Sequence, residues 1–254
     1  MTTNSITPYL NIPQSQASIL IEEIVDRIER SEAPAFHVTR TPEGKELIEP
    51  SKLSKRFAVI QQLIDIFADH YDYSEHLQVF WKACQDIGIE RSPLGPTCLD
   101  ATGCRYLSFA ETMNVLVSRI RQLTRESEYR RKAHDRRYQS QQKTEKLDGC
   151  VRAVMSRYSR TVVVRVDLHY LSIVEPLLRI EHLFEDLSSL IRSRERNPIF
   201  EHEIGYAWSV EQGKNKGFHI HTVFFFNSAK VYSDWYKSIE IGKLWMNITG
   251  GRGY

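Results

Sequence analysis

The most constraining feature of this sequence is a change of hydrophobic period near residue 159, from helical spacing to strict alternation. Before it, apolar residues recur three and four positions apart, which predicts helices. Within residues 161–170 every second residue is apolar, namely Val162, Val164, Val166 and Leu168. Arg165, Asp167 and His169 therefore point to the opposite face of a strand. The chain must combine helices with a sheet that has one apolar and one polar face.

The elements after this strand are predicted from the same two periods. Helical spacing returns over residues 172–194, strands follow over 204–211 and 217–227, and helical spacing returns over 229–245. The joint at 212–216 is short and contains glycine and asparagine, which favours a hairpin. This order predicts an α+β fold, with a largely antiparallel sheet covered on one face by helices. Residues 247–254 lead toward a further strand, so we expect a sheet that is incomplete at its C-terminal end.

The first half of the chain is predicted to be mostly helical. Residues 34–50 carry turn-forming proline and glycine and are expected to form a loop or a short hairpin. Ser108 and Glu111 match a capping box, and residues 108–146 contain no proline or glycine, which predicts one long helix. The sequence is thus divided into a helical N-terminal region (1–107), a long basic helix or linker (108–150) and the sheet-forming region (151–254).

Positive charge is concentrated in one segment. Residues 119–143 contain nine basic and three acidic side chains, an excess of +6 (9 − 3), although the whole chain carries only +2. Such an excess is typical of a surface that neutralises phosphates. We expect nucleic acid to contact basic residues of this segment and of the hairpin: Arg130, Arg131, Lys132, Arg136, Arg137, Lys214 and Lys216. A solvated helix with Glu–Arg pairs at helical spacing is the alternative.

Two histidines and a glutamate form the candidate metal site. His219 and His221 are two residues apart on a predicted strand, so both imidazoles project from one face. The hairpin returns Glu211 beside them, and this set suits Mg²⁺ or Mn²⁺ with open coordination positions. Histidines that pack or face solvent are the alternative. An iron site of the cupin kind would need a carboxylate a few residues after His221, whereas the next one is Asp234.

Several segments of the second half resemble known proteins. Residues 210–221 resemble motif II of the HUH endonucleases, the histidine-hydrophobic-histidine superfamily of rolling-circle replication initiators and relaxases. Residues 163–170, 216–227 and 241–245, with the basic helix, resemble the inovirus gene 2 protein group, also called the YagK/YfjJ C-terminal domain family. The resemblance spans roughly residues 115–254 and implies an HUH or ferredoxin-like core. It supports Glu211, His219 and His221 as metal ligands.

The same resemblance implies roles for two further residues. Arg165 and Asp167 match motif I, and Asp167 is expected to orient a metal-bound histidine or its water from the second coordination shell. A surface ion pair between Asp167 and Arg165 is the alternative.

The resemblance implies a replication-initiator endonuclease of a prophage or mobile element, which nicks single-stranded DNA or a DNA hairpin origin. A divalent metal, Mg²⁺ or Mn²⁺, would assist attack by a tyrosine, and host replication proteins are further expected partners. The family's Tyr-x-x-Lys motif does not occur in residues 222–254. Tyr232 and Tyr236 are weak candidates that we expect to pack, so the nucleophile is expected beyond Tyr254. The alternative is a non-catalytic DNA-binding protein on a degenerate HUH fold.

No apolar run approaches the roughly 18 residues of a membrane-spanning helix. The first residues also lack the basic and apolar regions of a secretory signal. We therefore expect a cytoplasmic protein without a membrane partner.

Overall fold

The computed structural model describes residues 12–64, 66–67, 71–214 and 216–254. The chain divides into two compact units. The N-terminal unit comprises Ala17–Tyr138, and the C-terminal unit comprises Gln139–Tyr254 together with the described residues up to Gln16. The three regions predicted from the sequence, with boundaries at 107 and 150, remain a prediction, because a division into compact units does not test them.

The N-terminal unit is mostly helical, as its sequence predicts. Its elements are α1 (Gln14–Glu29), β1 (Phe36–Arg40), β2 (Glu46–Pro50), a short 3-10 helix (Ser54–Val59), α2 (Ile60–Leu63), α3 (Glu75–Asp86), α4 (Phe109–Arg125) and the beginning of α5 (Ser127–Arg157). β1 and β2 pair in antiparallel register, so residues 34–50 contain a hairpin. The apolar stripe of α1 forms part of the core, since Ile21, Ile24, Val25 and Ile28 are fully buried.

The predicted long helix is interrupted. α4 begins with the predicted capping box, in which Ser108 accepts from the Glu111 amide and the Glu111 carboxylate accepts from the Ser108 amide. α4 ends at Arg125, the C-cap residue Glu126 has an extended backbone (φ −66°, ψ 146°), and α5 starts at Ser127. The physical reason is packing: α4 buries an apolar face, whereas α5 is almost entirely polar and exposed. A break without proline or glycine leaves no local signal in the sequence.

The C-terminal unit contains a three-stranded antiparallel sheet in the order β3-β5-β4. Its elements are β3 (Thr161–Leu168), α6 (Ile180–Ser193), β4 (Glu203–Gly213), β5 (Gly217–Asn227) and α7 (Asp234–Ile248). α6 begins later than predicted, since Pro176 lies in a short 3-10 turn before it. α7 also begins later, where the Ser233 hydroxyl accepts from the Tyr236 amide and caps the helix.

One face of this sheet forms the core. Alternate side chains of β3 and β5, among them Val164, Ile220 and Phe224, are buried with apolar residues of the helices, including Leu187 of α6 and Trp245 of α7. The predicted α+β fold, an antiparallel sheet covered by helices after a mostly helical region, is confirmed. Arg165 and Asp167 of β3 and His219 and His221 of β5 alternate with these core residues and therefore lie on the other face.

The segment after α7 returns to the sheet. His169 and Tyr254 exchange two backbone hydrogen bonds of 3.0 Å, and the Leu171 amide donates to the Arg252 carbonyl at 2.8 Å. The further strand toward which residues 247–254 were expected to lead is therefore present as a single bridge, between Tyr170 and Gly253. Gly253 is needed there, because a Cβ would lie 2.3 Å from Trp245 Nε1.

None of the helices in the described part of the chain is long and apolar enough to cross a membrane.

Candidate metal centre

The sheet register brings acidic residues to both sides of the two histidines. His219 and His221 lie on the central strand β5, on the polar face. Glu211 of β4 pairs directly with His219, and Asp167 of β3 pairs directly with His221. Because β5 lies between the other strands, each histidine has a carboxylate as its cross-strand neighbour.

Glu211, His219 and His221 converge as the sequence predicts. Glu211 Oε2 lies 3.3 Å from Nε2 of His221 and 3.6 Å from Nε2 of His219. One ligand atom from each residue lies within 4.8 Å of the others. Ligand atoms about 2.1 Å from a tetrahedral or octahedral ion are about 3 to 3.4 Å apart. Small side-chain adjustments would therefore suffice for the three groups to bind one cation.

The other ring nitrogens are occupied in a way that suits metal binding. His221 Nδ1 lies 2.7 Å from Asp167 Oδ1, and His219 Nδ1 lies 3.3 Å from the Gly217 carbonyl oxygen. If each Nδ1 donates its proton to that oxygen, both Nε2 lone pairs are directed toward Glu211. This arrangement of donors fits a divalent cation.

Asp167 contacts both of the residues that the sequence suggested as its partners, His221 and Arg165. Besides His221, it accepts two hydrogen bonds from Arg165, from Nε at 3.0 Å and from Nη2 at 3.1 Å. Partial burial acts to raise the pKa of Asp167, but the hydrogen bonds from Arg165 and His221 outweigh it, so this pKa lies below its usual value. Asp167 therefore stays ionised beside His221.

The two histidines differ in exposure, although the alternating pattern places both on an open face. The side chain of His219 is only 6% exposed, whereas that of His221 is 26% exposed. His219 is covered by His169, whose ring lies parallel to it with centroids 5.4 Å apart. Sequence analysis placed His169 on the polar face but gave it no role. His169 could have been singled out from the sequence, because it lies two residues after Asp167 and hence on the same polar face of the strand.

Tyr232 and Tyr236 do not join this centre. Tyr232 precedes α7, and the two residues are 87% and 57% exposed, so neither packs in the core; packing at an interface, the other expectation for them, stays a prediction. The Val231 amide donates to the Asn227 carbonyl at the end of β5. Asn227 is six residues beyond His221, or about 20 Å along a strand. Both tyrosines follow the opposite end of β5 from the metal centre.

The basic residues of α5 fall into two groups. Lys132 pairs with Glu128 at 2.9 Å, and Arg136 pairs with the buried Glu75 at 2.6 Å. In the described part of the chain, no carboxylate lies within ion-pair distance of Arg130, Arg131 or Arg137, all of which are exposed. Arg130 and Arg137 are seven residues apart, which places them on one helix face within about 20°. The segment therefore contains basic side chains in ion pairs, as one hypothesis predicts, and exposed arginines without a carboxylate partner among the described residues.

The hairpin lysines flank the turn between β4 and β5. Lys214 and Lys216 are both exposed, and Asn215 between them lies outside the described residues. The pKa of His169 is lowered by its burial first, then by the charge of His219, with a smaller contribution from Lys216. The charge of Lys216 therefore acts on His169, the ring that is stacked on His219.

Comparison with known proteins identifies one family. The family model of the YagK/YfjJ C-terminal domain matches residues 118–245, just over half of the chain. The matched segment contains β3, β4 and β5, and hence Asp167 and the three converging residues. No curated protein and no solved structure matches the chain.

Proposed function

This chain belongs to the YagK/YfjJ C-terminal domain family, and from that premise we propose that its C-terminal unit is the metal-binding part of a DNA endonuclease. The proposed enzyme is an HUH-type replication initiator of a prophage or mobile element, similar to the inovirus gene 2 proteins. Its substrate is single-stranded DNA or a DNA hairpin origin, and its metal is Mn²⁺ or Mg²⁺.

The observation that carries the proposal is the convergence of Glu211 with the Nε2 atoms of His219 and His221. A divalent cation bound there would polarise a phosphate group and stabilise the charge that develops on its oxygens during phosphoryl transfer. Three protein ligands leave coordination positions for substrate oxygens. Glu211, at the exposed side of the set, leaves the centre open to a polymeric substrate.

Residues around the centre have complementary tasks. Asp167 holds His221 by a hydrogen bond of 2.7 Å, which fixes the ring and makes its Nε2 a better donor. The Arg165 side chain is 65% exposed on the same face, so its guanidinium can contact a DNA phosphate while it keeps Asp167 in place. Lys216 adds a second cation near the centre.

Binding of the DNA strand is assigned to Arg130, Arg131 and Arg137. These exposed guanidinium groups have no carboxylate partner among the described residues. They can therefore displace counterions from a phosphate backbone without breaking an ion pair. Lys132 and Arg136 would have to give up their glutamates first.

The attacking hydroxyl is proposed to belong to a tyrosine other than Tyr232 and Tyr236. Its attack on the scissile phosphorus would form a bond between the tyrosine oxygen and the 5′-phosphate of the downstream fragment, break the P–O3′ bond and release a free 3′-hydroxyl on the upstream fragment. Neither Tyr232 nor Tyr236 lies near the converging residues, because both follow the far end of β5.

A non-catalytic DNA-binding protein is the second candidate function. The unpaired arginines of α5 favour it, since they can bind DNA without any metal. The two candidates make the same prediction for DNA affinity and opposite predictions for strand breakage.

The deciding experiment incubates the protein, and in parallel a version extended past Tyr254, with end-labelled single-stranded DNA in Mn²⁺ and analyses the products on a denaturing gel. Cleavage or a covalent adduct that requires Mn²⁺ and is lost in His221→Ala supports the endonuclease. DNA binding without cleavage or adduct by both versions, in Mn²⁺ and in Mg²⁺, would refute it and leave the binding protein.

A further inference from the structure

We propose that His169 is a positioning residue for His219, an inference that rests on the proposed metal site. The two rings are 10° from parallel, with centroids 5.4 Å apart. His169 does not belong to the group of side chains whose ligand atoms converge. Its contact with the site is therefore through the face of the His219 ring.

His219 needs such support more than His221 does. His221 Nδ1 lies 2.7 Å from the ionised Asp167, a short contact with a charged acceptor. Among the described residues, the polar atom that contacts Nδ1 of His219 is the neutral carbonyl oxygen of Gly217, at 3.3 Å. A long bond to a neutral oxygen restrains ring rotation weakly. The flat surface of His169 supplies the missing restraint.

His169 is itself held rigidly. Its amide and carbonyl both bond to the backbone of Tyr254 at 3.0 Å, and its carbonyl also accepts from Trp245 Nε1 at 3.0 Å. The ring of Tyr254 lies on the other face of the His169 ring, with centroids 5.4 Å apart and planes at 20°. His169 is thus fixed between a backbone ladder and two aromatic rings.

The resulting column of rings determines the direction of a metal ligand. With His169 against one face, the His219 ring stands perpendicular to that of His221, and their centroids are 5.0 Å apart. This orientation directs His219 Nε2 toward Glu211. Without the stacking contact, the His219 ring could rotate about its side-chain bonds. Its Nε2 would then adopt more orientations before a metal binds.

The test compares Mn²⁺ affinity by calorimetry in the wild-type protein, His169→Ala, His169→Leu and His169→Phe. Supporting residues of metal ligands typically contribute 10- to 100-fold to metal affinity, so we expect a loss of that size in the alanine and leucine variants. His169→Phe keeps the flat ring and should stay within about threefold of wild type. The visible spectrum of bound Co²⁺ should shift in the alanine and leucine variants alone, because it reports the ligand geometry.

Tyr170→Phe is the matched control. Tyr170 is the next residue, points into the core and donates to Asp186 at 2.9 Å. Its substitution should lower stability and leave Mn²⁺ affinity and the Co²⁺ spectrum unchanged. This control separates a general loss of stability from a change at the metal ligand.

Each remaining outcome has a definite meaning. Wild-type protein that binds no Mn²⁺ overturns the metal site and the role of His169 with it. Wild-type binding with unchanged affinity in His169→Ala overturns the role of His169 alone. Affinity as low in His169→Phe as in His169→Ala would assign the effect to a ring nitrogen and also overturn the packing role. If His169→Ala fails to fold, the leucine and phenylalanine variants decide.

Discussion

Asp167 and His221 face each other across the β3–β5 ladder, with 2.7 Å between Oδ1 of the aspartate and Nδ1 of the histidine. A carboxylate in this position orients the ring and increases the electron density at Nε2, the atom that faces Glu211. The contact links β3 to the metal centre, although β3 supplies none of the three converging ligands.

Asp167→Ala should weaken Mn²⁺ binding by about 10- to 100-fold, because His221 loses the acceptor that fixes its ring. Calorimetric titration measures the effect. Asp148→Ala is a suitable control, since Asp148 pairs with Arg152 on the exposed surface of α5. Equal affinities in Asp167→Ala and wild type would show that the contact does not serve the metal.

His221→Ala and His219→Ala should both abolish Mn²⁺ binding but differ in stability. His221 is partly exposed, and Asp167 keeps its two hydrogen bonds from Arg165 when the imidazole is removed, so His221→Ala should lower the free energy of unfolding less than His219→Ala does. His219 is buried against His169, and its removal should cost about 1 to 3 kcal/mol. Urea unfolding without metal measures the difference. Similar unfolding free energies for the two variants would contradict the burial of His219.

The site should bind Mn²⁺ more tightly than Mg²⁺. Two of its three ligands are imidazole nitrogens, whereas Mg²⁺ prefers an all-oxygen shell of nearly ideal octahedral geometry. Competition titrations with the two ions measure the preference. Tighter binding of Mg²⁺ would mean that a different, oxygen-rich site holds the metal.

Replacing Arg130 and Arg137 together with alanine should weaken binding to single-stranded DNA and reduce the slope of log affinity against log salt by about 1.4, or about 0.7 per lost phosphate contact. The matched variant replaces Lys132 and Arg136, which pair with Glu128 and Glu75. We expect it to lower stability, since Glu75 is buried, and to leave the salt slope nearly unchanged. Fluorescence anisotropy at several salt concentrations measures the slope for each variant. Equal slopes for the two double variants would refute the distinction between DNA-binding and ion-paired basic residues of α5.

Glu111→Gln should destabilise the protein by about 1 kcal/mol at neutral pH, because the capping box of α4 loses its charge. Hydrogen bonds from Arg105 and then from the Ser108 amide lower the pKa of Glu111 to about 2. A folded-state pKa below the unfolded value of about 4.3 stabilises the protein fully above that value, and the stabilisation is lost as pH falls through about 2. Unfolding curves of both proteins should therefore converge in acid, and a constant difference down to pH 2 would contradict this linkage.

The sequence alone determined the local features. The alternation in β3 and β5 predicted two strands, and a period of two necessarily placed His219 and His221 on the same face. The capping box at Ser108 and the hairpin that returns Glu211 to the histidines are likewise contained in a few neighbouring residues. Such features depend on backbone geometry over one or two turns, so their residues are sufficient to predict them.

Only the tertiary structure decided which distant residues meet. The strand order β3-β5-β4 places Asp167 opposite His221, and residues 252–254 bring Tyr254 against His169, which buries His219. The break at Glu126 and the pairing of Arg136 with Glu75 also depend on how α3, α4 and α5 pack. These contacts join segments tens of residues apart, and their free energies come from packing and charge in the assembled fold, which no local period encodes.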